Sequence, residues 1–180
     1  QLGEKEHWRK FALWDNVART VLMIRAPQGT HGLPAGSRVG GRCDRVTSLL
    51  DIYPTLAELC ELPVDAELDG HSLVPLLEDP QTEWAYPAIT TYDFGEYSIR
   101  TERWRYIRYI DDGEELYDHE KDPEEWNNLA GDPRYEDVKI RLACYIPADP
   151  APLAETSYVL SPHHIAPLAS KEEYLQLRRD

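Results

Sequence analysis

Apolar and polar positions repeat with two different periods along this chain, and the change falls near residue 87. Before it, the clearest segment runs from about Ser48 to Glu61, where Leu49, Leu50, Tyr53, Leu56, Ala57 and Cys60 recur at spacings of three and four. That is the signature of one apolar helix face. Ser48 with Asp51 three residues on marks its amino end as a capping box, Asp standing for the usual Glu. Pro54 lacks the amide a helix interior needs, so a tight first turn or kink is expected before Thr55, and Leu62-Pro63 ends the element. Upstream, Val21-Leu22-Met23-Ile24 between Arg19-Thr20 and Arg25-Ala26-Pro27 predicts a short strand buried on both faces, as in a parallel sheet. Residues 1–19 are polar with interleaved Trp8, Phe11 and Trp14, a loop entering a helical turn over Lys10 to Asn16. Gln28 to Arg42 holds five glycines and one proline, an exposed excursion built from turns.

After residue 87 the period is two. Ala88 to Tyr92, Tyr97 to Arg100, Trp104 to Ile110 and Glu115 to Tyr117 predict antiparallel strands, with Asp112-Gly113 as the hairpin turn before the last. Alternation within the strands assigns Arg103 and Arg105 to one face and Arg100 and Arg108 to the other. Beyond Ala148, prolines at 150, 152, 162 and 167 interrupt the chain and leave Lys171 to Arg178 as a short helix. The fold class is therefore α/β: helices with the last part of a large mixed sheet in 1–86, a small antiparallel β subdomain with a following turn and helix in 87–147, and a Pro-rich tail in 148–180.

Charge narrows the partners. The 33 acidic residues against 19 basic ones leave a formal charge of -14, which repels phosphate backbones and anionic lipid. Nucleic acid is excluded as a natural partner, and an anionic substrate would need a local cationic pocket or a metal. Cys43, Cys60 and Cys144 have no CxxC spacing. No apolar run approaches the roughly 20 residues of a membrane span, and Gln1 to Lys10 lack a signal-peptide layout. Opening on Gln1, directly into a motif, the chain reads as a piece of a larger protein, and its sequence assigns no compartment.

Four segments carry a family resemblance. Leu2-Gly3-Glu4-Lys5-Glu6-His7-Trp8-Arg9-Lys10 comes first. Ser48 to Leu56 and Asp69-Gly70-His71-Ser72-Leu73-Val74-Pro75-Leu76-Leu77 follow. The last is Ile99-Arg100-Thr101-Glu102-Arg103-Trp104 with Glu115-Leu116-Tyr117-Asp118 and Asp122-Pro123-x-Glu125-x-Asn127-Asn128-Leu129. In this order, over about residues 2–131, they resemble the carboxy-terminal portion of the type I sulfatases of the alkaline-phosphatase superfamily. The first segment and the Arg-Thr hairpin look most like iduronate-sulfatase-type and choline-sulfatase-type members.

The resemblance implies a sulfuric ester hydrolase acting on a sulfated small molecule or glycan, with calcium and a formylglycine nucleophile both supplied upstream of this chain by the remainder of the catalytic domain. It places Lys10 at the sulfate-contacting lysine, where an ammonium suits an oxygen gathering charge. His7 is a second sulfate contact, a proton donor to the leaving alcohol, or a packing residue beside Trp8. Tyr92, Asp93 and Tyr97 fall where a loop reaches the pocket mouth and could read a sugar or aryl group by stacking and hydrogen bonds. No metal ligand is assigned: Glu4 and Glu6 read as a solvated loop, and adjacent His163-His164 rarely share an ion. The formylglycine precursor pattern Cys/Ser-x-Pro-x-Arg is absent from the 180 residues, so the chain alone is expected to be inactive. Two alternatives stay open, a phosphodiesterase or phosphonate hydrolase of the same superfamily and a non-catalytic glycan- or protein-binding module.

Overall fold

The computed structural model describes residues 3–8, 10–64, 67–92, 95–149, 158–160 and 165–167. The described residues of Gln1–Arg19 and Ile89–Asp180 form one compact unit, and those of Thr20–Ala88 another.

In the second unit the expected helix forms. A 3-10 turn over Leu49–Asp51 leads into an α-helix, Ile52–Leu59. The capping box is present: Ser48 Oγ accepts from Leu50 N at 3.2 Å, and Asp51 Oδ2 accepts from Ser48 N at 2.7 Å. The tight first turn is the consequence of Pro54. Proline has no N–H to return to the Leu50 carbonyl, and Gly70 runs so close to that oxygen that any β-carbon at residue 70 would collide with it. Asp51 Oδ1 also accepts from His71 N at 2.9 Å, and Thr55 Oγ1 accepts from Leu73 N at 2.8 Å. The Asp69 to Leu77 motif is thus a loop docked on the helix start. It delivers Val74 and Leu76 of a short helix, Val74–Glu78, to buried positions, Val74 packing with Ala26 and Leu33.

One expectation for this unit fails. Val21 to Ile24 adopts no regular secondary structure, and Val21 and Met23 are 78% and 87% exposed. A strand is stable only when a neighbour takes up its amide and carbonyl groups, and no described residue pairs with this run. Gln28 to Arg42 is a succession of turns as expected, with Gly29, Gly32, Gly36 and Gly40 at positive φ.

The other unit is built on a four-stranded antiparallel sheet of β1 (Ala88–Thr91), β2 (Tyr97–Arg100), β3 (Trp104–Arg108) and β4 (Glu114–Asp118), in that spatial order. In the β3–β4 turn, Asp112 takes the left-handed conformation (φ 66°) and Tyr109 N donates to Gly113 O at 2.9 Å. Pairing of Ile99 with Tyr106, and of Tyr106 with Leu116, sets these on one face with Tyr97. A helix over Glu136–Ala143 covers that face through Leu142, with Ile146 just beyond it. The opposite face carries Ser98, Arg100, Arg105, Ile107, Glu115 and Tyr117, and residues 13–15 lie on it, Leu13 packing on Ile107 and Tyr117.

The free edge of β4 is closed by the Asn127-Asn128-Leu129 segment. Asn128 Oδ1 accepts from Leu116 N at 3.0 Å, its Nδ2 donates to Glu114 O at 3.0 Å, and Leu129 N donates to Leu116 O at 2.8 Å. An unpaired edge is thereby blocked. Beyond, Tyr158–Leu160 and Ile165–Pro167 pair as a second, two-stranded antiparallel sheet in a stretch where proline frequency led us to expect none. The expected helix Lys171 to Arg178 and the His163-His164 pair lie outside the described residues.

Candidate functional site

The amino-terminal motif is a closed loop. Gly3 N donates to His7 O at 3.1 Å, Glu6 N to Gly3 O at 3.0 Å and His7 N to Glu4 O at 3.0 Å. Closure requires left-handed backbone at Gly3 (φ 118°) and at two side-chain-bearing residues, Lys5 (φ 53°) and Glu6 (φ 58°). Such strain persists only where the surroundings over-determine it.

The surroundings are an aromatic platform on the sheet. Lys5 Nζ donates to Tyr117 Oη at 3.0 Å and lies 4.5 Å from the Trp14 ring centre and 4.3 Å from that of Tyr117. Burial pulls its pKa below the ordinary lysine value, against the opposing pull of Glu115 and Glu125. Tyr117 Oη donates to Glu115 Oε2 at 2.6 Å, Trp14 Nε1 donates to the same oxygen at 2.7 Å, and Tyr109 Oη donates to Oε1 at 3.0 Å. Burial, then this bond to a carboxylate, pushes the Tyr117 hydroxyl well above the usual phenol range.

His7 stands edge-on to Trp14, ring centres 5.7 Å apart at 83°. Its Nε2 is buried and has no hydrogen-bond partner among the described residues. Lys10 is exposed and makes no hydrogen bond or ion pair among them. Phe11, next to it, packs against Tyr92 with ring centres 5.9 Å apart. Tyr92 belongs to the same cluster as Leu13, Trp14, Ile107 and Tyr117. His7 and Tyr92 are therefore carried by one platform. Tyr97 is not: it lies 6% exposed in the core on the far face of the sheet. Asp93 lies outside the described residues. Glu4 and Glu6 are exposed, as a solvated loop requires.

A second group, missed by sequence reasoning, fastens residues 13–15 to the sheet. Arg105, 3% exposed in its side chain, donates to Glu125 Oε1 at 2.6 Å, to Asp15 Oδ1 at 2.7 Å, to Ser98 Oγ at 2.6 Å and to Leu13 O at 3.0 Å. Glu125 Oε2 accepts from Asp15 N at 2.9 Å. Arg100 Nη2 contacts His119 Nδ1 at 3.0 Å. A guanidinium can only donate, so Nδ1 accepts and Nε2 carries the hydrogen given to Glu125 Oε1 at 2.7 Å. Glu125 holds this position in the left-handed conformation (φ 59°). Burial would raise its pKa, but the His119 bond and the Arg105 charge outweigh it and the net shift is downward; Asp15 is shifted down likewise, Arg105 overcoming its burial.

This group corrects the assignment of arginines to faces. Arg100 and Arg105 are direct cross-strand partners and share one face, where both reach Asp15. Arg103 precedes β3, stacks on Trp104 at 4.7 Å and pairs with Asp118 at 2.7 Å.

Asp15, His119 and Glu125 bring ligand-type atoms within 4.8 Å of one another. Arg105 and Arg100 already place cationic donors among them, so the three do not fit a divalent ion. The signal that could have found the group is the Asp122-Pro123-x-Glu125 segment, whose strained turn presents Glu125 inward; Asp15 carried none.

Residues 3–148 match the family model for N-sulphoglucosamine sulphohydrolase, C-terminal. A sulfatase of Formosa agariphila is 32% identical over 166 residues, 92% of this chain and 31% of that protein. The Delta 4,5-hexuronate-2-O-sulfatase of Bacteroides thetaiotaomicron is 38% identical over 98 residues, 49% of this chain and 20% of that protein. A protein solved in complex with its substrate D-glucosamine-2-N,6-O-disulfate is 26% identical, with a TM-score of 0.49 over 62% of this chain and 25% of that one. The chain thus spans between a fifth and a third of the length of these curated relatives.

Proposed function

The chain belongs to the N-sulphoglucosamine sulphohydrolase C-terminal family, as a carboxy-terminal portion of a sulfatase, and from that membership we propose that the whole protein hydrolyses sulfate esters on a carbohydrate. The observation that carries the proposal is the occurrence, three residues apart, of an exposed cation at Lys10 and a buried ring nitrogen at His7, neither with a hydrogen-bond or ion-pair partner among the described residues. Both belong to the segment whose sequence carries the family likeness. A relative named for hexuronate-2-O-sulfate favours a sugar over a simple aryl group.

On this reading Lys10 neutralises sulfuryl oxygens as charge develops, a local cation offsetting the formal charge of -14. His7 Nε2 gives a proton to the sugar oxygen as its bond to sulfur breaks, so that the sugar leaves as the free hydroxyl. Tyr92 borders the sugar, while Tyr97 serves the core of the sheet. A family formylglycine supplies a hydrated aldehyde nucleophile and calcium supplies charge, both held elsewhere in the whole protein. The one ligand-like group among the described residues is filled by arginines and fits no metal, so no step is assigned here to calcium. Isolated, the 180 residues turn over no sulfate ester.

The test is inorganic sulfate release by the whole enzyme from 2-O- and 6-O-sulfated sugars, with Lys10→Ala alongside. Sulfate release lost by at least about 100-fold in Lys10→Ala matches removal of a charge-stabilising group. Unchanged turnover in that variant would overturn the role of Lys10.

A further inference from the structure

The Gly3 to His7 loop is bent against backbone preference, and His7 Nε2, a buried atom without a hydrogen-bond partner among the described residues, is on a ring whose edge-on neighbour is Trp14. Trp14 cannot rotate freely, because its Nε1 is bonded to Glu115, and Glu115 is held in turn by Tyr117 and Tyr109. Lys5 ties the middle of the loop to the same set through Tyr117 Oη. A continuous chain of hydrogen bonds therefore runs from Lys5 through Tyr117 and Glu115 to Trp14, and ends at the face on which His7 rests.

We propose that Glu115 and Tyr117 on β4, with Lys5 and Trp14, are positioning residues that set the direction of His7 Nε2 toward the leaving-group oxygen. The proposal rests on the role given to His7 above. It assigns the small sheet a part in the chemistry that neither its sequence motif nor its fold announces: β4 orients a proton donor lying 108 and 110 residues earlier in the chain. Two features favour orientation over simple attachment. Simple attachment of this segment is already provided by Arg105, Asp15 and Glu125, which hold residues 13–15 without touching His7. Moreover, Glu115 receives three donors that all come from rings, so the carboxylate fixes ring planes as well as positions.

A double-mutant cycle in the whole enzyme tests this. Tyr117→Phe removes the link between Lys5 and Glu115 while keeping the ring, and Lys5→Met cuts the same link from the loop side should the first variant fold poorly. Each is expected to lower kcat on the order of 10- to 100-fold with KM within about twofold, as misplacement of a reacting group does. In a His7→Ala background the same changes should have almost no further effect. Additive losses, or no loss, overturn the proposal. Should wild type release no sulfate, the functional reading fails rather than this one, and nuclear magnetic resonance of the 180-residue chain then decides. Tyr117→Phe must shift the His7 imidazole resonances; unmoved resonances overturn the positioning role.

Discussion

Replacing Arg105 by Met should destabilise the sheet unit more than any surface change, and in a way that depends on pH. The guanidinium makes four hydrogen bonds and separates two carboxylates, with Glu125 2% and Asp15 16% exposed in their side chains. Methionine fills the space of the side-chain stem but leaves those carboxylates buried together without their main counter-charge. Breaking a buried pair from one side costs about 3–5 kcal/mol, a large part of the roughly 5–15 kcal/mol that holds a domain folded. In the native protein both carboxyls are shifted down. Their stabilisation is complete above the ordinary carboxylate range of about pH 4 and is lost as pH falls through the lower folded values. Without Arg105 less opposes burial, so both carboxyls take up protons at higher pH than in wild type and protonation relieves the variant. The deficit should therefore be greatest at pH 7 and shrink toward pH 4. Native-state hydrogen exchange at β3 amides, for wild type and variant at both pH values, measures it. A deficit below about 1 kcal/mol at pH 7, the range of exposed ion pairs, would refute the reasoning, as would one that grows on acidification.

Three further outcomes follow from single contacts. Asn128→Ala removes two backbone partners from the edge of β4 and a third from Ala130 N, and should cost about 1–2 kcal/mol, with faster exchange of the Leu116 amide as the direct readout. Asp51→Ala deletes both the helix cap and the tie to His71 N, and a loss of about 2 kcal/mol is expected from thermal unfolding followed by helical circular dichroism. Lys10→Ala, by contrast, should leave unfolding free energy within about 0.5 kcal/mol of wild type, since the side chain is exposed and has no partner among the described residues.

Local signals in the sequence were faithful wherever the controlling partner lay nearby. Ser48 and Asp51 are three residues apart and cap the helix as their spacing implies. The Asp112-Gly113 turn joins β3 and β4, and period-two segments became strands. Failures came where the partner was distant. Val21 to Ile24 has the composition of a buried strand, but composition cannot supply the neighbour a strand must pair with. Arg100 and Arg105 were assigned to opposite faces from alternation within strands, whereas the face shared by two strands is set by register across the hairpin. Asp15 and Glu125 are 110 residues apart, and nothing local to either marks them as a pair. The candidate loop was legible from Leu2-Gly3-Glu4 through Lys10; the platform beneath it was not, because Glu115 and Tyr117 read simply as strand residues.

The proposed hydrolysis of carbohydrate sulfate esters by the whole protein is tested by supplying it with sulfated sugars, choline sulfate and a phosphonate monoester in parallel. Inorganic sulfate is expected to be released fastest from the sugars. Cleavage of the phosphonate monoester with no sulfate released from any substrate would contradict it.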